Sequence, residues 1–207
     1  IGNLSDITLR AIEALKSVDV IACEDTRKTG ILLSQVLPAE FKRPRFVSYY
    51  EQNELQRIPE IIAAINDGLN IALVSDAGTP TISDPGFKLV RECIKEGIKV
   101  ESLPGASSVI TALTVSGLPT DKFLFLGYPP RKPGHRKSLF KNVKSVNSLI
   151  KSTIIFFEAP HKILRTLEEL KEVFGDIDIV LARELTKTYE EIRREKISES
   201  VSHFTKT

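Results

Sequence analysis

The chain has 207 residues, 42% of them apolar and 27% charged, with 29 Lys and Arg against 27 Asp and Glu, a net charge of +2. That length suits one large domain or two small ones, and a real apolar fraction with both charge signs mixed excludes a disordered chain. The charge is too small to mark a nucleic-acid binder by itself, no apolar run approaches the roughly 18 residues of a membrane span, and no signal peptide is visible.

In chain order, LSDITLRAIEALKS at 4–17 predicts a helix, with Ser5 or Asp6 as its cap and Ile7, Ala11, Ile12 and Leu15 on one face. VDVIAC at 18–23 predicts a strand, and EDTRKTGILLSQVL a loop turning into a helix. RFVSYY at 45–50 predicts a strand, and NELQRIPEIIAAINDG at 53–68 a helix closed by Gly68. LNIALVS at 69–75 is the next strand, and FKLVRECIKEG at 87–97 the next helix. IKVESLP at 98–104 predicts a strand, ASSVITALTVSG at 106–117 a helix and FLFLG at 123–127 a strand. Strands alternating with helices, each strand apolar at its centre, predict a parallel or mostly parallel sheet covered on both faces. Ligands of such sheets sit beyond the carboxyl ends of the strands.

GYPPRKPGHRK at 127–137 holds three Pro and two Gly and reads as a basic linker. Beyond it, SLFKNVKSVNSLIK predicts a helix, TIIFFE at 153–158 a strand, HKILRTLEELKEVFG at 161–175 a helix and DIDIVLAREL at 176–185 a strand. The expected domains are therefore 1–126 and 127–207, both α/β. The chain holds no Met and opens at Ile1 in what reads as a loop, so an upstream start is expected. The closing HFTKT carries no expected helix or strand. Cys23 and Cys93 match no metal-ligand spacing and read as buried thiols, which points to a reducing, cytoplasmic compartment.

Three strand ends carry unusual residues. SDAGTPTISDPG at 75–86 packs Gly, Pro, Ser, Thr and Asp into one junction. Gly78 admits close approach of a ligand to the backbone, Asp84 is available to cap the next helix with Pro85 at its first position, and Asp76 is left free to meet a ligand. A merely tight turn is the alternative. LPGASSVITA at 103–112 opens a helix at Ser107 and Ser108, whose free amides attract a carboxylate or phosphate; an ordinary capped helix is the alternative. IACEDTRKTG at 21–30 sets Glu24, Asp25 and Arg27 directly after a strand, where acid–base groups are useful; a capped helix with a surface ion pair is the alternative. FFEAPHK at 156–162 and ARELTK at 182–187 mark two further strand ends. No metal set, Walker loop or serine elbow is present in the sequence.

Together and in this order, IGNLSDITLRA, CEDTRKT, SDAGTPTISDPG, LPGASSVITAL, GYPPRK, FFEAPHK and ARELTK resemble the tetrapyrrole-methylase superfamily of S-adenosylmethionine-dependent methyltransferases. Within it they resemble the branch acting on small-subunit ribosomal RNA. The similarity runs over nearly the whole chain. The family carries a strand and an Ala-Thr-Pro turn before IGNL and further residues after the last helix; both are missing here, so the first domain lacks its first strand and the second is truncated.

The resemblance implies a two-domain α/β fold of the class III S-adenosylmethionine methyltransferases, each domain a mostly parallel or mixed sheet flanked by helices, with the cofactor in the cleft between them. It implies methylation of a cytidine ribose 2′-hydroxyl in the decoding region of small-subunit (16S) rRNA, no metal, no membrane, and a homodimer. Matching family positions assign the cofactor to Asp76, Gly78, Thr79, Ser107, Ser108, Glu158 and Ala182. A ribose hydroxyl is a poor nucleophile near neutral pH, so Glu24 and Asp25 are candidate bases, with Arg27 orienting them or gripping a phosphate. Arg131, Lys132, Arg136 and Lys137 are the candidate RNA contacts, a solvated helix face being the alternative. The rivals are a tetrapyrrole methyltransferase of the same fold, a non-catalytic nucleotide- or RNA-binding module, and a doubly wound sugar-phosphate enzyme.

Overall fold

The computed structural model describes residues 1–41 and 43–206 and forms two compact units, Ile1–Ser107 and Ser108–Thr207. The boundary expected from the proline-rich segment lies further along the chain, at 126–127.

In the first unit, β1 (Val20–Cys23), β2 (Arg45–Ser48) and β3 (Ile71–Val74) make a parallel sheet in the order β2-β1-β3. Its helices are α1 (Leu9–Ser17), α2 (Thr26–Val36), α3 (Glu54–Asn66) and α4 (Phe87–Lys95). The central strand reads VIAC without a polar residue because both its faces are covered. Ile21 and Cys23 pack with Leu15, Leu33 and Leu37; Ala22 packs with Tyr49, Ile61, Leu89 and Cys93. Alternation along one strand thus splits the core, with α1 and α2 on one face and α3 and α4 on the other. Both cysteines are free and buried, as their apolar settings indicate. The register pairs Cys23 with Ser48 and with Val74. The residues that follow all three strands therefore emerge along one edge.

The second unit holds α5 (Ser108–Ser116), β4 (Phe123–Phe125), α6 (Pro133–Leu149), β5 (Thr153–Ile155), α7 (Ile163–Phe174), β6 (Asp178–Arg183), β7 (Glu191–Lys196) and α8 (Ile197–Lys206). β4 and β5 pair parallel, β6 and β7 antiparallel, so this unit is mixed where the first is parallel. Its core joins Phe140 and Val143 of α6, Leu167 of α7 and Ile197 of α8.

Several expectations change. The first helix splits: residues 4–6 form a 3-10 turn, and Thr8 caps α1, its Oγ1 accepting from the Ala11 amide at 3.1 Å. Residues 98–104 enter no sheet; Val100 and Leu103 are exposed, and an apolar run without a ladder partner or a covered face does not become a strand. The basic segment is not all linker. Pro133 opens α6, a first-turn position where its missing amide is no loss. The tail is not structureless either: β7 pairs with β6, and α8 follows it directly. Among the described residues no helix is long and apolar enough to cross a membrane.

Candidate active site

The carboxyl ends of β1 and β3 are joined by polar contacts. Asp76 is the hub: its Oδ1 accepts from the Asp25 amide at 3.1 Å and its Oδ2 from Lys28 Nζ at 2.6 Å, while its own amide donates to Glu24 Oε2 at 3.4 Å. Asp25 caps α2, with Oδ1 accepting from the Arg27 amide at 2.9 Å. The Arg27 guanidinium closes a bidentate pair on the same carboxylate, at 3.1 and 2.8 Å. Parallel pairing of β1 with β3 places these groups side by side, although Asp25 and Asp76 are far apart in sequence.

The electrostatics divide the acids. Burial, and then the charges of Asp76 and Asp84, push the Glu24 carboxyl above its ordinary value. Asp84 moves the same way, through burial and the charge of Asp76, against a hydrogen bond from Ser75. Asp25 goes the other way: hydrogen bonds from the Arg27 side chain and amide hold it well below the usual carboxylate range. Glu24 is thus the better proton acceptor of the two candidate bases, and Asp25 is chiefly a cap and a partner for Arg27.

The loop between β3 and α4 is held in uncommon backbone. Thr81 and Ser83 have φ of 74° and 62°, and Gly78 has φ of 79°. Such conformations are costly for side-chain-bearing residues and cluster at ligand sites. Gly86, not Asp84, occupies the cap position of α4, at φ 131° with no side-chain cap bond. A Cβ at Gly86 would meet Leu73 Cδ2 at 2.5 Å, so the loop must close on β3 with a bare glycine. Thr79 Oγ1 donates to the Ala106 carbonyl at 3.2 Å, tying the loop to the residues just before Ser107. Among the described residues, the amides of Ala77, Gly78 and Thr79 donate to no protein carbonyl. They remain donors for a ligand.

Ser107 ends the first unit and Ser108 opens α5 in the second; among the described residues neither hydroxyl is hydrogen-bonded. Glu158 follows β5, with Oε1 accepting from the Ala159 amide at 2.8 Å and Oε2 from Thr166 Oγ1 at 2.6 Å. Its carboxylate is thereby fixed at the start of α7. Ala182 is not at a strand end but within β6, paired with Ile192.

The four basic candidates separate. Arg131 and Lys132 are exposed. Lys137 pairs with Glu172 at 2.6 Å on the surface. Arg136 is 5% exposed and is no phosphate contact. Its Nε and Nη2 each lie 2.6 Å from a Glu169 carboxylate oxygen, and its Nη1 donates to the Pro130 and Arg131 carbonyls at 3.2 Å. A guanidinium in the core finds a buried carboxylate because an unpaired charge there is costly.

Sequence reading missed Lys28. Its only local signal was its place in EDTRK, in the first turn of the helix that Asp25 caps; its partner Asp76 lies far along the chain. Among the described residues no group of three or more His, Cys, Asp or Glu is arranged to hold a metal ion.

Comparison with known proteins agrees with this architecture. A family model described as Tetrapyrrole (Corrin/Porphyrin) Methylases matches residues 1–200. The chain is 46% identical over 206 residues to a protein of Thermotoga maritima named "Ribosomal RNA small subunit methyltransferase I", covering 100% of this chain and 89% of that one. It is 48% identical over 206 residues to a Hydrogenobaculum protein of the same name, covering 100% and 86%. Among solved structures, the methyltransferase CobJ superposes with a TM-score of 0.70 at 18% identity over 98% of this chain and 85% of that one, a likeness of fold.

Proposed function

The chain belongs to the tetrapyrrole methylase family, and from that premise we propose that it uses S-adenosylmethionine to methylate the ribose 2′-hydroxyl of a cytidine in the decoding region of small-subunit rRNA. That it is a methyltransferase follows from the family; donor, acceptor and residue roles are the proposal. The observation that carries it is near-complete alignment, at 46% and 48% identity, with relatives named for small-subunit rRNA. Those names weigh against the rival acceptor, a tetrapyrrole ring.

The residues at the strand ends suit such a donor. Glu24, Asp76 and Asp84 gather negative charge against one ammonium, Lys28, which favours a ligand bearing ammonium and sulfonium cations. The unused amides of 77–79 suit its carboxylate. When bound, S-adenosylmethionine supplies an electrophilic methyl group. The family resemblance assigns Asp76, Gly78, Thr79, Ser107, Ser108, Glu158 and Ala182 to hold it. The hydroxyls of Ser107 and Ser108 are free to do so, and Glu158 is held rigid by Thr166.

Methyl transfer is an in-line displacement, and orientation of the two reactants is worth up to ~7–11 kcal/mol. Glu24 would accept the proton of the ribose 2′-hydroxyl; the donor, when bound, would give up its methyl group to that oxygen as the methyl–sulfur bond breaks and the sulfur leaves as a neutral thioether. The raised basicity of Glu24 suits the task, whereas Asp25 serves by fixing Arg27. Arg27 is 87% exposed and reaches a substrate phosphate while still paired. Arg131, Lys132 and Lys137 meet the remaining phosphates. The enzyme acts in the cytoplasm as a homodimer.

Methyl-labelled S-adenosylmethionine tests the reading, with small subunits and naked rRNA from cells lacking this protein as acceptors. Label on one alkali-resistant ribose linkage is the expected result. Binding of the donor without transfer to either acceptor overturns the acceptor assignment.

A further inference from the structure

Tyr128 is 61% exposed, yet its ring is not loose. It leans on Phe157, centroids 5.5 Å apart and planes at 57°. Phe157 in turn meets Phe125 edge-on at 4.8 Å. Three rings are therefore in contact in series at the carboxyl ends of the parallel strands β4 and β5, the outermost facing solvent. Edge and tilted ring contacts of this kind hold an aromatic in one orientation.

The backbone that carries Tyr128 is fixed at both ends. Upstream, the ladder continues beyond the strands, with the Leu126 amide donating to the Ile155 carbonyl at 3.0 Å and the Phe157 amide to the Gly127 carbonyl at 2.9 Å. Gly127 then turns the chain at φ 60°. Pro129 and Pro130 restrict the next two residues. Downstream, the buried Arg136 guanidinium holds the carbonyls of Pro130 and Arg131 from below, itself clamped by Glu169. This gives Arg136 a role its place in the basic run hid: it keeps the segment after Tyr128 in place. Arg131 and Lys132 follow the ring, both exposed. An exposed, preoriented aromatic face followed by two cations has the chemistry of a single-stranded nucleic-acid interface: bases stack on the ring while the cations meet phosphates.

Resting on the acceptor reading above, we infer that Tyr128 is a base-stacking residue for the substrate RNA, holding an unpaired nucleobase of the acceptor strand. Tyr189 is an internal control. It is more exposed, at 83%, but makes none of the ring contacts found in the described residues. Exposure alone would favour Tyr189; ring support favours Tyr128.

The test uses the full chain with small ribosomal subunits as acceptor. Tyr128→Ala is expected to raise KM for the subunits about tenfold, the range of one base stack removed, with the Kd for S-adenosylmethionine unchanged. Tyr128→Phe should behave as wild type, and so should Tyr189→Ala. An unchanged KM in Tyr128→Ala overturns the inference. So does an equal loss in Tyr128→Phe, which would make the hydroxyl the active group. A loss confined to S-adenosylmethionine affinity also overturns it, since the ring would then serve the donor. A second arm does not depend on turnover. The chain has no Trp, so Tyr128→Trp creates a sole reporter. Single-stranded RNA should quench its emission and leave that of Tyr189→Trp unaffected. If the wild-type chain transfers no label to subunits, the acceptor reading fails on its own; quenching at position 128 alone still sustains the stacking role, and its absence removes it.

Discussion

Arg27 with Asp25 in the first unit and Arg136 with Glu169 in the second are both bidentate arginine–carboxylate pairs, and they do different work. Arg27 and Asp25 meet at the surface after β1, with the guanidinium 87% exposed. Arg136 and Glu169 meet in the core between α6 and α7, both under a tenth exposed. The bonds are alike; the surroundings are not. At the surface, water already satisfies both ions, so the pair adds little to stability and leaves Arg27 free to meet a phosphate. In the core, removing either partner strands a charge in a poor solvent. The same chemical pair thus leaves its guanidinium open to solvent in one unit and is a strut in the other, and burial decides which.

Arg136→Ala is the strongest challenge to that contrast. It should cost about 3–5 kcal/mol, the usual penalty for breaking a buried ion pair, read as a lower urea midpoint. Next in size, Glu24→Gln should lower kcat for methyl transfer about a hundredfold, the lower end of general-base effects, without losing the fold. A profile unchanged under saturating RNA would exclude the base role.

The two regions should also respond oppositely to pH. The folded-state value of Glu169 is depressed, first by its hydrogen bond to Arg136. Its stabilisation is present above the ordinary glutamate value of 4.5 and is lost as pH falls through the depressed one. Glu24 is raised, so its favourable contribution is full below 4.5 and disappears as pH rises through its folded value. Urea midpoints should show wild type and Glu169→Gln converging in acid, and Glu24→Gln gaining on wild type towards neutral pH. Midpoints that move in parallel for both variants would contradict the assignment. The smallest effect belongs to the exposed cations. Arg131→Gln with Lys132→Gln should reduce the slope of log affinity for RNA against log salt by about 0.7 for each single-strand phosphate left without its cation; an unchanged slope removes them from the interface.

Much of this was legible residue by residue. VIAC and IALV announce covered strands because side chains alternate to two apolar faces, and the structure covers both. SDAGTPTISDPG reads as an unusual loop from its turn chemistry, and the structure holds Thr81 and Ser83 of it in left-handed backbone; its ligand role belongs to the proposed function. The errors share one cause. Arg136 looked like its neighbours in a basic run, and nothing within the run reveals Glu169, which meets it only after α7 packs on α6. Asp84 looked like a cap because its side chain suits one, but Gly86 takes the position where the loop returns to Leu73. IKVESLP has a strand's composition and no strand beside it.

By itself the sequence determined the local choices: which segments carry helical periodicity, which strands must be covered, which junctions are rich in turn residues, and which family the motifs resemble. Those follow from periodicity, caps and backbone preference, which act over a few residues. Only the tertiary structure decided which charges are solvated and which buried, which acid is raised and which depressed, and which exposed tyrosine has rings beneath it. Those depend on the distance and dielectric between groups far apart in the chain, and packing alone sets both.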